Sequence, residues 1–286
     1  MQFLLKKKDY NYECLYLSYN NKIKNISEQL NMIRKFNINN LIQYRNKIEE
    51  LNKTKRNSYL YLIQTEILEF INNYEIAYKN LIADKNRLNK GLSGENKVFK
   101  YIEEYSTEWK YIANFCMEHE ENKVEHDFII ISPKGIFTIE VKNVGSRDEI
   151  LHFTNTGLTV RKNKKGSIIG DLDILQQSNR HLAYLKKLLF KTLGEKIRCE
   201  QIIIIASDIN VVNDSLIDVI GINNLYPLIN SKDNILSENR VEYIYNELNK
   251  LNVDQSKYSQ LNYADKLTET YKEILKSIIY INENIL

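Results

Sequence analysis

The chain has 286 residues, 43% of them hydrophobic and 27% charged, with a formal net charge of +3, enough for one large or two modest domains with a buried core. Only two prolines and nine glycines occur, which excludes long linkers rich in either. Three scattered cysteines (Cys14, Cys116, Cys199) without a CxxC pair argue against a disulfide framework and for a reducing compartment.

The first region reads as helices. Tyr16, Tyr19, Ile23, Ile26, Leu30 and Ile33 follow steps of three and four, as do Leu41, Tyr44, Ile48 and Leu51. Leu60, Ile63, Ile67, Phe70, Tyr74, Ala77 and Leu81 continue the pattern, with Leu88 in phase. Each set forms one apolar stripe. Polar breaks fall near Asn37–Asn40 and Asn52–Asn57. The stripes are compatible with a coiled-coil homodimer, but the short breaks favour an antiparallel helical hairpin slightly. Positive charge is concentrated in these first 90 residues. A basic arm suits contact with phosphates as well as plain solvation.

After Leu88 the period changes. Gly91 and Gly94 punctuate the chain, and a helix is expected from about Glu95 to Tyr105. Short β-prone runs follow at 111–117, 128–132, 136–143, 150–154 and 158–161. Ser132-Pro-Lys-Gly135 and Asn155-Thr-Gly157 are turn signals between them. The acidic run Glu118–Glu125 reads as a solvated loop, and Arg161-Lys-Asn-Lys-Lys165 as a basic loop. A long helix is expected over 174–193 with Gly194 as its C-cap. Gln201-Ile-Ile-Ile-Ile-Ala206 suggests a strand buried on both faces, and Val219–Ile222 a further short one. Helices at about 237–251 and 257–281 close the chain. Helices should cover both faces of a mixed sheet.

The chemistry concentrates in the hairpin from Glu125 to Asn143. On its second strand Phe137, Ile139 and Val141 share an apolar face, and Thr138, Glu140 and Lys142 the other. With an even-numbered turn, Asp127 stands opposite Glu140 on that polar face, and a slip of one residue would turn it into the core. Adjacent carboxylates repel, and a divalent metal resolves the conflict. Such an ion activates water and stabilises charge on a phosphodiester, while a neighbouring lysine orients the water or holds the phosphate.

Asp127 followed by Glu140-Val-Lys142 resembles the signature of the PD-(D/E)xK nuclease superfamily. Gly91-Leu-Ser-Gly-Glu95, the hairpin His126–Asn143 and Gln177-Ser-Asn-Arg-His181 resemble the start, central hairpin and later helix of its nuclease-related domain family, NERD. The resemblance covers about residues 91–250. It implies an α/β fold with a restriction-endonuclease-like αβββαβ core around a mixed central sheet, preceded here by the α-helical, coiled-coil-like N-terminal arm. It also implies that Asp127, Glu140 and the backbone carbonyl of Val141 ligate Mg2+ or Mn2+, with Glu95 a further ligand or a water-binding group. Lys142 matches the catalytic lysine. Gln177 matches the helix glutamine, with Gln176 adjacent and the register open. His181, one turn on, contacts substrate or packs the helix. His126 stands where the superfamily signature has proline.

The organisation expected is a helical hairpin or coiled-coil arm at 1–90, a nuclease domain at 91–250 and a C-terminal helix at 251–286. The function expected is metal-dependent hydrolysis of DNA phosphodiesters, leaving a 5′-phosphate. Lys162, Lys164, Lys165 and His181 are candidate nucleic-acid contacts. Antiviral defence is a context that rests on analogy, and a homodimer or a partner protein would use the arm. The rival reading is a catalytically silent nucleic-acid-binding or scaffold protein. Cys116, His119 and His126 lack the paired ligands of a zinc site, and no GxxxxGK[ST] loop is present to bind ATP phosphates. No apolar run is long enough to span a bilayer. The N-terminus puts its apolar residues before its lysines, the reverse of a secretory signal, so a cytoplasmic protein is expected.

Overall fold

A computed structural model describes residues 19–105, 107–119, 122–252 and 262–285. Cys14, Tyr16 and the N-terminal order of apolar and basic residues lie outside the described residues, as does the start of the last expected helix at 257–261. The chain divides into two compact units. One holds residues 20–89 and 262–285, the other Tyr19 and residues 90–252.

The first unit is helical. It comprises α1 (19–33) from residue 20 on, α2 (Ile38–Lys55), the first part of α3 (Ser58–Glu104) and α7 (Tyr263–Asn284). The expected stripes are buried within the chain. Leu30, Ile33, Leu41, Ile48, Ile63, Ile67 and Phe70 form one core with Leu267, Ile274 and Ile278 of α7. The Asn37 side chain accepts the Asn40 amide and starts α2, and Arg56 in the left-handed region ends it. The breaks therefore fall where the polar residues interrupt the stripe.

One expectation fails here. Gly91 and Gly94 do not interrupt the chain, because α3 runs unbroken through both. Both are close-approach positions. A Cβ on Gly91 would meet the Tyr19 hydroxyl at 3.0 Å, and one on Gly94 would meet Cβ of Asn143 at 2.7 Å. Space, and not a turn, explains these glycines. Glu95 accordingly sits well inside a helix instead of opening one.

The second unit is built on two sheets. The five-stranded sheet has the order β1 (Lys110–His119), β2 (Asn122–Ser132), β3 (Gly135–Lys142), β7 (Cys199–Ile205), β9 (Asp218–Gly221). β1, β2 and β3 pair antiparallel, and β3, β7 and β9 parallel, so the sheet is mixed as expected. One face carries Phe128, Ile130, Phe137, Ile139, Ile202 and Ile204. It is covered by Val98, Phe99 and Ile102 of α3 and by α5 (Leu225–Asn230). The other face carries Ile129, Ile131 and Ile136 under α4 (Ile174–Leu193) and α6 (Glu238–Leu251). Gly194 caps α4 through its amide to the Phe190 carbonyl at 2.9 Å, at φ 74. The isoleucines of β7 are buried on both faces, Ile202 and Ile204 under α3 and α5, Ile203 and Ile205 against Leu151, Phe153 and the first turn of α4.

A second sheet, in the order β6 (Ile168–Leu172), β5 (Thr159–Asn163), β4 (Glu149–Phe153), β8 (Asn210–Asn213), was only half anticipated. β8 is exposed along its whole length and β6 is largely so; neither shows an alternating apolar face. Two loop expectations also change. Residues 118–119 and 122–125 of the acidic run belong to β1 and β2, and Arg161–Asn163 of the basic run to β5. Among the described residues no helix is long and apolar enough to cross a membrane.

One local irregularity positions the site. Ala113↔Phe128 and Phe115↔His126 bracket the step where Asn114 faces Asp127, and Asn114 adopts φ 48. Tyr111 and Ala113 belong to the first core and Ile112 to the second; beyond Asn114 the alternation restarts out of phase, so Phe115, Met117 and Val124 all join the second core. The flip brings His126 to the face of Thr138, whose hydroxyl lies 2.8 Å from His126 Nδ1.

Candidate active site

β2 and β3 are joined by the two-residue turn Pro133-Lys134, with Ser132 opposite Gly135 and Phe128 opposite Ile139. That even count places Asp127 against the Glu140–Val141 step, and its Oδ2 accepts the Val141 amide at 2.6 Å. Glu140 and Lys142 share the polar face of β3, and Lys142 Nζ donates to Glu140 Oε1 at 2.5 Å.

Two helices complete the arrangement. On α4, Gln177 and His181 are one turn apart on the same face. Gln177 Oε1 accepts from Lys142 Nζ at 3.0 Å, and His181 Nδ1 lies 3.1 Å from Glu140 Oε2. Gln176 is exposed, which settles the register left open by the sequence. On α3, Glu95 is buried one turn before Val98 and Phe99. Its Oε1 accepts the Tyr19 hydroxyl, while its Oε2 is buried with no hydrogen-bond partner among the described residues.

The electrostatics follow from crowding. Burial first, then the neighbouring Glu140 and Glu95, raises Asp127 well above the usual carboxylate range. Burial pushes Glu95 up to about 7, with Glu140 adding and the Tyr19 hydroxyl and Lys142 opposing. Burial alone would raise Glu140, but His181 and the Lys142 ammonium hold it below its ordinary value. Burial would lower Lys142, yet the facing acids Glu140 and Asp127 keep it raised and charged. Burial, then His181, lowers His126 to about 3, so its imidazole is neutral. Tyr19 is raised by burial and by Glu95 and Asp127, which keeps its phenol a proton donor.

Glu95, Asp127, Glu140, Lys142 and Gln177 are therefore brought together. His181 joins them at the Glu140 carboxylate. Lys162, Lys164 and Lys165 lie elsewhere, along β5 and its following turn. Lys162 Nζ is 2.8 Å from His152 Nδ1, Lys164 pairs with Asp148, and the Lys165 amide donates to Asn163 Oδ1. Two residues at the centre escaped the sequence reading. Tyr19 figured only as one apolar position of a helix. His126 figured as a replacement for proline and in a dismissed zinc set, although its ring stands 5.1 Å from that of His181.

Among the described residues no group of three His, Cys, Asp or Glu side chains is already arranged to hold a metal ion. Each acid is turned toward an internal donor: Glu95 to Tyr19, Asp127 to the Val141 amide, Glu140 to Lys142 and His181. The donor set nevertheless fits a divalent cation. Three buried or half-buried carboxylates share one ammonium, two of them are raised by burial and mutual repulsion, and one carboxylate oxygen is orphaned.

Residues 90–206 match the family model of the nuclease-related domain, NERD, which agrees with the resemblance read from the motifs. The matched span runs from α3 to the end of β7 and includes every residue of the acidic site except Tyr19. No curated protein and no solved structure matches the chain.

Proposed function

We propose that the nuclease-related domain at residues 90–206 is a Mg2+- or Mn2+-dependent nuclease that hydrolyses DNA phosphodiesters. The observation that carries this reading is the cluster of Glu95, Asp127 and Glu140 around one half-buried lysine, itself tied to Gln177. Buried like charges are costly unless compensated, and acids that share a single ammonium and are raised by burial mark a candidate functional site.

The residues divide the work by chemistry. Asp127, Glu140 and the Val141 carbonyl would hold the cation, with Glu95 completing the acidic set. When bound, the cation supplies Lewis acidity to a phosphoryl oxygen and lowers the pKa of water. The Val141 amide anchors one Asp127 oxygen and, among the described residues, leaves the other free. Lys142 is charged and lies between Glu140 and Gln177, so its remaining N–H can orient the attacking water or a non-bridging phosphate oxygen. His181 Nδ1 stands 3.1 Å from the second Glu140 oxygen, outside hydrogen-bond geometry. Attack in line with the leaving 3′-oxygen would give a 5′-phosphate. Lys162, Lys164 and Lys165 would hold nucleic-acid backbone, and the helical unit would dimerise or dock a partner. Antiviral defence and a cytoplasmic location accord with this reading.

The test is cleavage of supercoiled plasmid, linear duplex, single-stranded DNA and RNA with Mg2+, Mn2+ or EDTA, beside Asp127→Ala and Lys142→Ala. Metal-dependent cleavage of DNA lost in both variants supports the reading. Cleavage that survives in both moves the active site elsewhere. A chain that neither cleaves nor binds metal would be a silent scaffold.

A further inference from the structure

Glu95 is an acid of the site whose two oxygens are treated differently. Oε1 accepts a hydrogen bond from the hydroxyl of Tyr19, 76 positions upstream, and Oε2 is left buried and unpartnered among the described residues. The tyrosine ring has a prepared seat. Gly91 lies one turn ahead of Glu95 on α3, and a Cβ there would meet the Tyr19 hydroxyl at 3.0 Å and Cε1 at 3.4 Å. A glycine inside a helix costs about 1 kcal/mol relative to alanine. Room for the tyrosine is what that cost obtains here.

A donor that fixes one carboxylate oxygen also fixes the direction of the other. Such outer contacts orient metal ligands and are commonly as consequential as the ligands themselves. We propose that Tyr19 is a positioning residue of the acidic site, pinning Glu95 Oε1 so that Oε2 is presented to a divalent cation. This rests on the reading that the site binds such a cation, and it adds a residue from outside the matched nuclease-related segment. The opposite role, a phenol that blocks the acid, predicts the opposite sign in the same experiment.

The experiment is titration of the full-length, metal-free chain with Mn2+, followed by calorimetry and by electron paramagnetic resonance of the free ion. Tyr19→Phe keeps the ring and removes the donor. It should weaken Mn2+ binding about tenfold, with circular dichroism and melting in EDTA near those of the unsubstituted chain. Gly91→Ala, which crowds the ring without removing the hydroxyl, should weaken binding in the same direction. In a Glu95→Gln background Tyr19→Phe should add no further loss, because the two residues act as one unit. Unchanged affinity in both Tyr19→Phe and Gly91→Ala would overturn the role of Tyr19 alone, as would tighter binding. An equal further loss in the Glu95→Gln background would overturn its action through Glu95. No Mn2+ binding by the unsubstituted chain would overturn the metal-site reading, and this inference with it.

Discussion

Gln177 Oε1 and Glu140 Oε1 both accept from the same atom, Lys142 Nζ, at 3.0 and 2.5 Å. The lysine is long and would otherwise sample many rotamers, so two acceptors from different elements confine it. Gln177→Ala should leave the ammonium tied only to Glu140. The expected result is a fall in kcat of about tenfold, equivalent to ~1.4 kcal/mol, with little change in KM. Gln176→Ala, on the exposed side, should leave both constants unchanged. Steady-state kinetics on the DNA substrate would show it, and equal effects of the two substitutions would refute the α4 register.

Glu95 gives a pH-dependent prediction. Its folded-state pKa is raised from 4.5 to about 7, chiefly by burial. The native chain therefore keeps a proton that the unfolded chain loses between those values, and this contribution to stability declines as pH rises through the window. Glu95→Gln is neutral at every pH. In EDTA it should be more stable than the unsubstituted chain at pH 8 and nearly equal to it at pH 4.5, measured by urea denaturation. His126, which burial lowers to about 3, is common to both chains and cancels. With Mg2+ at pH 8 the order should reverse, since a bound cation stabilises the carboxylate form. A difference that does not vary with pH would show that Glu95 titrates normally.

The hairpin was legible because its signal is local. Strand alternation sorted Phe137, Ile139 and Val141 from Glu140 and Lys142, and the two-residue turn set the register of Asp127. The helical stripes were legible for the same reason. Tyr19 was not, since a tyrosine at a stripe position carries no mark of its distant partner Glu95. The glycines misled because the sequence shows a missing side chain but not the neighbour that needs its space. β6 and β8 were missed because exposed strands have no apolar period, and are held by pairing to β5 and β4.

The lysines of the second sheet bear on nucleic acid by charge alone. Lys164 is exposed and paired only with an equally exposed Asp148, so a phosphate can replace that partner at little cost. Replacing Lys162, Lys164 and Lys165 together by Gln should weaken DNA binding without regard to sequence. The slope of log affinity against log salt should fall by roughly one unit for each phosphate that is no longer neutralised. Fluorescence anisotropy at several salt concentrations reads this. An unchanged slope would mean that other residues neutralise the DNA backbone.

Gly94 tests the packing of α3 on the sheet. Alanine is the better helix former by about 1 kcal/mol, and an exposed Gly94 would gain from the change. Here the new Cβ would stand 2.7 Å from Cβ of Asn143 and 3.4 Å from that of Ala206. Overpacking of this kind costs about 1–3 kcal/mol. Gly94→Ala should therefore lower stability by up to roughly 2 kcal/mol net of its helix propensity. It should also reduce activity, because Glu95 is the next residue. Thermal melts and cleavage rates report the two effects, and a stabilised variant would contradict the close approach.

Asn114 holds the flip in β1 that brings His126 to the site face. Its φ of 48 lies in the left-handed region, which asparagine tolerates better than a residue with a plain Cβ. Asn114→Ala should cost about 1 kcal/mol if the chain keeps its path. If the strand instead relaxes to regular alternation, Phe115 would turn toward the core of Ala113, and His126 would leave the hydroxyl of Thr138. His181 would then lose the ring that packs it beside Glu140. Asn114→Gly preserves the backbone conformation and should destabilise less than Asn114→Ala. Chemical denaturation of the two variants, with proton resonances of His126 and His181 as local reporters, distinguishes strain from rearrangement. Equal stability of both variants would show that the left-handed step imposes no cost on alanine.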